Sequence, residues 1–159
     1  MTHVLVVYSL GAVVAGIIDS VPDRFVPVGM IGAILPDLSK LNLLVDPERL
    51  TAIFGVPFSW LPLHRLGGTL VVAALGALVF DRSERRLAGG FLLGGALTQY
   101  PLDAMIKRAN GLSPPYLYPF TWWQPPAGGL YLSSDLWPIL PAATLAVGVW
   151  LWRRSRLLC

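Results

Sequence analysis

Asp37, His64, Arg65, Gln99 and Asp103 have side chains that sit poorly with their apolar neighbours. Asp37 follows Pro36 directly, at the end of the run Gly32-Ala33-Ile34-Leu35. An ionisable group there is costly unless it pairs, binds an ion or lines a wet cavity. His64 and Arg65 are adjacent; neutral imidazole is a common metal ligand and guanidinium suits anions such as phosphate. Gln99 and Asp103 are spaced i, i+4, which puts both on one helix face. Two carboxylates and an imidazole near the same ends of apolar segments suit zinc, manganese or iron, with positions left for water. Simpler uses stand beside this one. Asp37 and Lys40 are spaced i, i+3 and Asp103 and Lys107 i, i+4, both ion-pair spacings on a helix. Asp135, with Pro138 behind it, is placed to cap the last helix.

The elements that must position these groups are read from composition and patterning. Of 159 residues, 55% are hydrophobic and 13% charged, against about 25% charged in soluble domains. This predicts one integral membrane domain over residues 1–159, with membrane lipids as its surroundings. The net charge of +3 comes from clustered residues and gives no nucleic-acid footprint. A lone cysteine, Cys159, excludes an internal disulfide framework and a cysteine zinc site. No Lys or Arg precedes Arg24, so the N-terminal apolar run reads as a membrane helix rather than a signal peptide.

The apolar segments are 3–18, 25–35, 66–80, 87–102 and 136–152. Most are about sixteen residues, roughly 24 Å as helices, and fall short of a hydrocarbon core of roughly 30 Å. The second reaches only partway. The expected fold is therefore all-α: a polytopic helical membrane protein of four to five short segments, with a partial-depth second helix and two long interfacial loops. In the first loop, Asp46-Pro47-Glu48 predicts a capped short helix that Gly55 ends. The second, residues 104–135, is rich in proline, and Tyr116, Tyr118, Trp122, Trp123 and Tyr131 suit the headgroup layer. Pro101 is expected to kink the helix that carries Asp103.

If segment two returns toward the side where segment one began, His3, Asp37, His64, Asp103 and Asp135 share one face. Arg24, the Asp81–Arg86 loop and Arg153, Arg154 and Arg156 then lie on the other, which the positive-inside rule makes cytoplasmic together with the C-terminus. If segment two only dips and re-emerges, the N-terminus is cytoplasmic and His3 leaves the cluster.

The order of these residues resembles the YdjM-like family of membrane-bound metal-dependent hydrolases. Thr2-His3, Gly32 through Pro36-Asp37, His64-Arg65 before Gly67-Gly68-Thr69, and Thr98-Gln99 followed by Asp103 fall in the order of that family's elements, over roughly residues 1–120. Ser39 stands where the pattern has a second Asp, Thr69 or Leu70 where it has a second His, and Gln99 where a His precedes the last Asp. The resemblance implies a hydrolase of an ester or phosphoester, with one divalent ion on His3, Asp37, His64 and Asp103. Arg65 would then steady an anionic group, and Gln99 would hydrogen-bond the substrate or a ligand. Interfacial aromatics around the pocket point to a lipid-like substrate. The alternative is a non-catalytic membrane protein of the same fold with structural pairs Asp37–Lys40 and Asp103–Lys107. A channel or transporter is disfavoured, because the long segments are apolar at their midpoints.

Overall fold

The computed structural model describes residues 1–157, and Cys159 lies outside them. The described residues are all-helical: α1 (Thr2–Ile17), α2 (Phe25–Gly32), α3 (Pro47–Phe54), α4 (Leu66–Ala77), α5 (Arg85–Ala104) and α6 (Ile139–Leu157). Two 3-10 segments, Leu35–Leu43 and Leu61–His64, complete the set. The capped short helix forms as expected: the Asp46 side chain accepts from the Glu48 N–H at 2.9 Å, and Gly55 ends it at φ 70°. α5 continues through Pro101.

α2 is the centre of the packing although it has only eight residues. On one side Phe25 and Val28 meet Ala73 of α4 and Ala88 and Leu92 of α5. On the other, Val26 meets Ala12 of α1 and Val149 of α6. Two glycine contacts bring α2 and α5 to backbone distance. A Cβ at Gly95 would lie 2.0 Å from the Gly29 carbonyl oxygen, and one at Gly32 would lie 2.2 Å from that of Leu92. Small residues of this kind let helices approach where no water remains to drive them together, so dispersion and close packing hold the pair.

The outer surface is apolar: Val71 is 60% exposed, Val79 87% and Leu140 70%. Among the described residues, no helix is both long and apolar enough to cross a membrane. α1 has 16 residues and α4 has 12, about 24 and about 18 Å. α5 and α6 are longer, but their ends carry Arg85 and Arg86 or Arg153, Arg154 and Arg156.

At one end, arginines finish the helices. The Arg156 guanidinium donates to the Gly16 carbonyl at 3.1 Å, and Arg85 donates to those of Phe80 and Leu78 at 3.0 and 3.3 Å. Carbonyls past a helix C-terminus lack intrahelical donors, and these side chains supply them. Arg24–Glu84 and Arg153–Asp23 ion pairs lie at the same end. The starts of α1, α4 and α6 and the ends of α2 and α5 therefore share the opposite end.

Two local expectations are corrected. Asp135 does not cap α6, which begins later, at Ile139; its carboxylate instead accepts from the Leu132 N–H at 2.8 Å and closes a turn. Lys107 does not pair with Asp103. α5 stops at Ala104, so the i, i+4 geometry is lost, and the Lys107 N–H bonds the Tyr131 carbonyl at 2.7 Å.

Candidate functional site

Asp103, on the last turn of α5, is 6% exposed. His3, from the first turn of α1, places Nε2 3.5 Å from its Oδ1. His64, from the second 3-10 segment, places Nε2 3.0 Å from its Oδ2. One turn back on α5, the Gln99 amide nitrogen donates to Asp37 Oδ1 at 2.8 Å and lies 3.4 Å from Asp103 Oδ2. Asp37 Oδ2 meets Lys40 Nζ at 2.9 Å. His3, Asp37, His64, Gln99 and Asp103 thus share one cluster, drawn from four elements and joined by the α2–α5 contact.

Local structure sets each orientation. α2 cannot continue past Gly32 as a helix aimed at Pro36, because proline disfavours helical backbone before it and the chain tightens into 3-10 turns. This turns Asp37 toward Gln99. His64 Nδ1 is 3.0 Å from the Pro36 carbonyl, which can only accept, so Nδ1 carries the proton and Nε2 faces Asp103. Tyr100 and Tyr116 wall the ring, with centroids 6.4 and 6.3 Å away. Thr69 is wholly buried; it donates to the Leu63 carbonyl at 3.2 Å and shares a 2.6 Å hydrogen bond with Tyr100. It ties the 3-10 segment to α4 and does not face the carboxylates. Burial alone would lower the His64 pKa, but the hydrogen bonds that the ring donates to Asp103 and to the Pro36 carbonyl outweigh it and hold the ring above its ordinary value.

Arg65 leaves the cluster and stacks its guanidinium over Tyr118 and Trp122, at 5.0 and 5.5 Å. It faces a neighbouring cavity with Lys107, which the sequence spacing paired with Asp103, and with Arg108 and Ser113, to which the sequence reading assigned no role. The available signal was the adjacent pair Lys107-Arg108 at the start of a proline-rich loop, with Asp103 four residues before Lys107.

The donor set suits a divalent ion: two imidazoles and a carboxylate are the ligands of many single-ion sites that keep open positions. His64 also has the outer hydrogen bond to a carbonyl that orients a ligating ring. His3 lacks one, since its Nδ1 is buried without a partner, as is Gln99 Oε1. The two imidazoles take opposite oxygens of Asp103. Among the described residues, no three or more His, Cys, Asp or Glu side chains are gathered as a ready ligand shell. An ion would have to draw these pairs inward and displace the His64 proton. With Gln99 in place of a histidine, the set fits one ion and not two.

An apolar exterior around a buried imidazole–carboxylate cluster at one end defines the class: an all-helical protein with a polar centre. The chain belongs to the YdjM inner membrane protein family, whose family model matches residues 1–159, so it is a membrane protein. The likeness seen over roughly residues 1–120 extends to the whole chain. No curated protein and no solved structure matches it.

Proposed function

We propose that the protein is a multi-pass membrane hydrolase of an ester or phosphoester carried by an amphiphilic substrate. One observation carries this reading: two imidazole Nε2 atoms meet one buried carboxylate, at 3.5 and 3.0 Å. His3, His64 and Asp103 would hold a divalent ion, with Asp37 the further carboxylate at the site. Bound there, the ion would polarise the substrate oxygen and lower the pKa of water. Pro36 fixes the His64 ring through Nδ1. Gln99 holds Asp37 and Asp103 in register through its amide, and Lys40 offsets the charge of Asp37. Arg65, braced by aromatic rings, would steady an anionic group of the substrate.

Zinc titrated into chelator-stripped protein in detergent is expected to bind at one ion per chain, and Asp103→Asn or His64→Ala should each remove most of the affinity. A second reading has its own observation: every oxygen of Asp37 and Asp103 already has a donor within 3.5 Å. Absent binding in the wild type, or binding indifferent to both substitutions, would favour this non-catalytic form.

The arginine-rich end is proposed to be cytoplasmic, along with the C-terminus, by the positive-inside rule. An impermeant thiol reagent should then label Cys159 in intact cells far more slowly than in opened ones. Equal rates would reverse the orientation.

A further inference from the structure

Beside the imidazole–carboxylate cluster lies a cavity of about 620 Å³, lined by Arg65, Lys107, Arg108, Asn110, Ser113 and Gln124 among others. A smaller space of about 210 Å³ shares Arg65, Arg108 and Pro114 with it and opens onto His64 and Lys40. No Asp or Glu lines either space. Among the described residues, Arg65, Lys107 and Arg108 have no carboxylate partner.

Arg108 Nε and Ser113 Oγ are buried without a hydrogen bond of ordinary geometry; both lie against the Tyr116 hydroxyl, which itself lines neither space. Buried polar groups left short of good partners are costly, and Arg108 and Ser113, beside the unpaired cations Arg65 and Lys107, give the cavity a wall shaped for an acceptor-rich ligand. The wall is also held in advance. The Ser113 N–H donates to the Pro125 carbonyl at 2.8 Å, and the Ala127 N–H to that of Gly111 at 2.9 Å. The Arg65 guanidinium is stacked on two rings, so its N–H edge is presented at little entropic cost.

We propose that this cavity binds the phosphate group of a phosphoester, with the rest of the ester reaching His64 through the smaller space. The proposal rests on the hydrolase reading for the reaction but not for the binding. A phosphate monoester carries about −1.5 to −2 charges and three acceptor oxygens. Two guanidinium forks, an ammonium and a hydroxyl match that charge and number better than they match a carboxylate. The phosphate can come from a lipid headgroup or from a soluble ester.

The test is a titration of inorganic phosphate into the full chain in detergent, with chelator present throughout. Saturable binding is expected. Arg65→Gln and Arg108→Gln should each weaken it about tenfold or more, and Ser113→Ala about threefold. Arg82→Gln, in the exposed loop at the other end, removes the same charge and should leave affinity unchanged. Arg108→Lys keeps the charge without the fork and should fall between the wild type and Arg108→Gln. No saturable binding, or equal losses in Arg82→Gln and Arg108→Gln, would overturn the site. Repeating the titration in nanodiscs assigns the source. Phosphatidic acid competes with phosphate if the ligand is a headgroup, and fails to compete beyond phosphatidylcholine if it is a soluble ester. Phosphate binding without zinc binding would reject the hydrolase and keep this site; the reverse would reject only this site.

Discussion

Asp37 and Asp103 have a donor near each of their oxygens, while on the far side of Arg65 the buried Arg108 Nε and Ser113 Oγ have no hydrogen bond of ordinary geometry. The two regions touch, and both are polar groups enclosed by an apolar protein. The first compensates its carboxylates internally, although His3 Nδ1 and Gln99 Oε1 stay unpartnered there, and so contributes to holding α1, the two 3-10 segments and α5 together. The second leaves its groups waiting, which costs stability in the free protein. Polar groups of the first kind are part of the fold, and those of the second fit the phosphate proposed for the cavity.

The contrast breaks most sharply at Asp103. Asp103→Ala strands two partly buried imidazoles, and should lower unfolding stability by about 3 kcal/mol, read by chemical denaturation in detergent. Gln99→Leu comes next, because it takes a donor from both carboxylates. About 1–2 kcal/mol should be lost, and zinc affinity should fall about tenfold because Gln99 orients the ligand shell. A competition titration with a zinc indicator reads the second effect. Lys40 is 66% exposed, so Lys40→Gln should cost under about 1 kcal/mol, with the loss shrinking as salt is raised. Ser113→Ala should be the smallest. Removing an unpartnered hydroxyl should leave stability unchanged or raise it by a few tenths of about 1 kcal/mol. A loss as large as that at Gln99 would place Ser113 with the structural groups and erase the contrast.

The cluster was legible in the sequence because its members sit at segment ends, where helix parity and a family's order of motifs both speak. Asp37 before a 3-10 stretch and Gln99 one turn from Asp103 needed only local geometry. The cavity was not legible. Arg65 and Ser113 meet through a loop whose course is set by backbone bonds such as Lys107 to Tyr131 and Ser113 to Pro125, which no periodicity announces. The expected Asp103–Lys107 pair failed for a related reason. Spacing assumes that the helix continues, and α5 ends at Ala104. The capping expectation met opposite fates in two places. Asp46 precedes a proline at the first helical position and caps α3, whereas α6 begins beyond Pro138, too late for Asp135. The short segments were visible as lengths, but their depth in the bilayer depends on packing that lengths do not encode.

The backbone contact between α2 and α5 bears on how the centre responds to its surroundings. Side chains meshed between helices can change rotamer and let one helix slide, but a carbonyl lodged against a glycine has no such slack. α1 and α6 meet partly through the Trp152 ring near Gly16, a softer joint. Changes in lipid thickness or lateral pressure should therefore be absorbed as tilt of α1 and α6, while α2 and α5 move as one piece. Gln99 and Asp37 then keep their spacing in any bilayer, and His3, carried by α1, is the member of the cluster most exposed to the mechanics of the membrane.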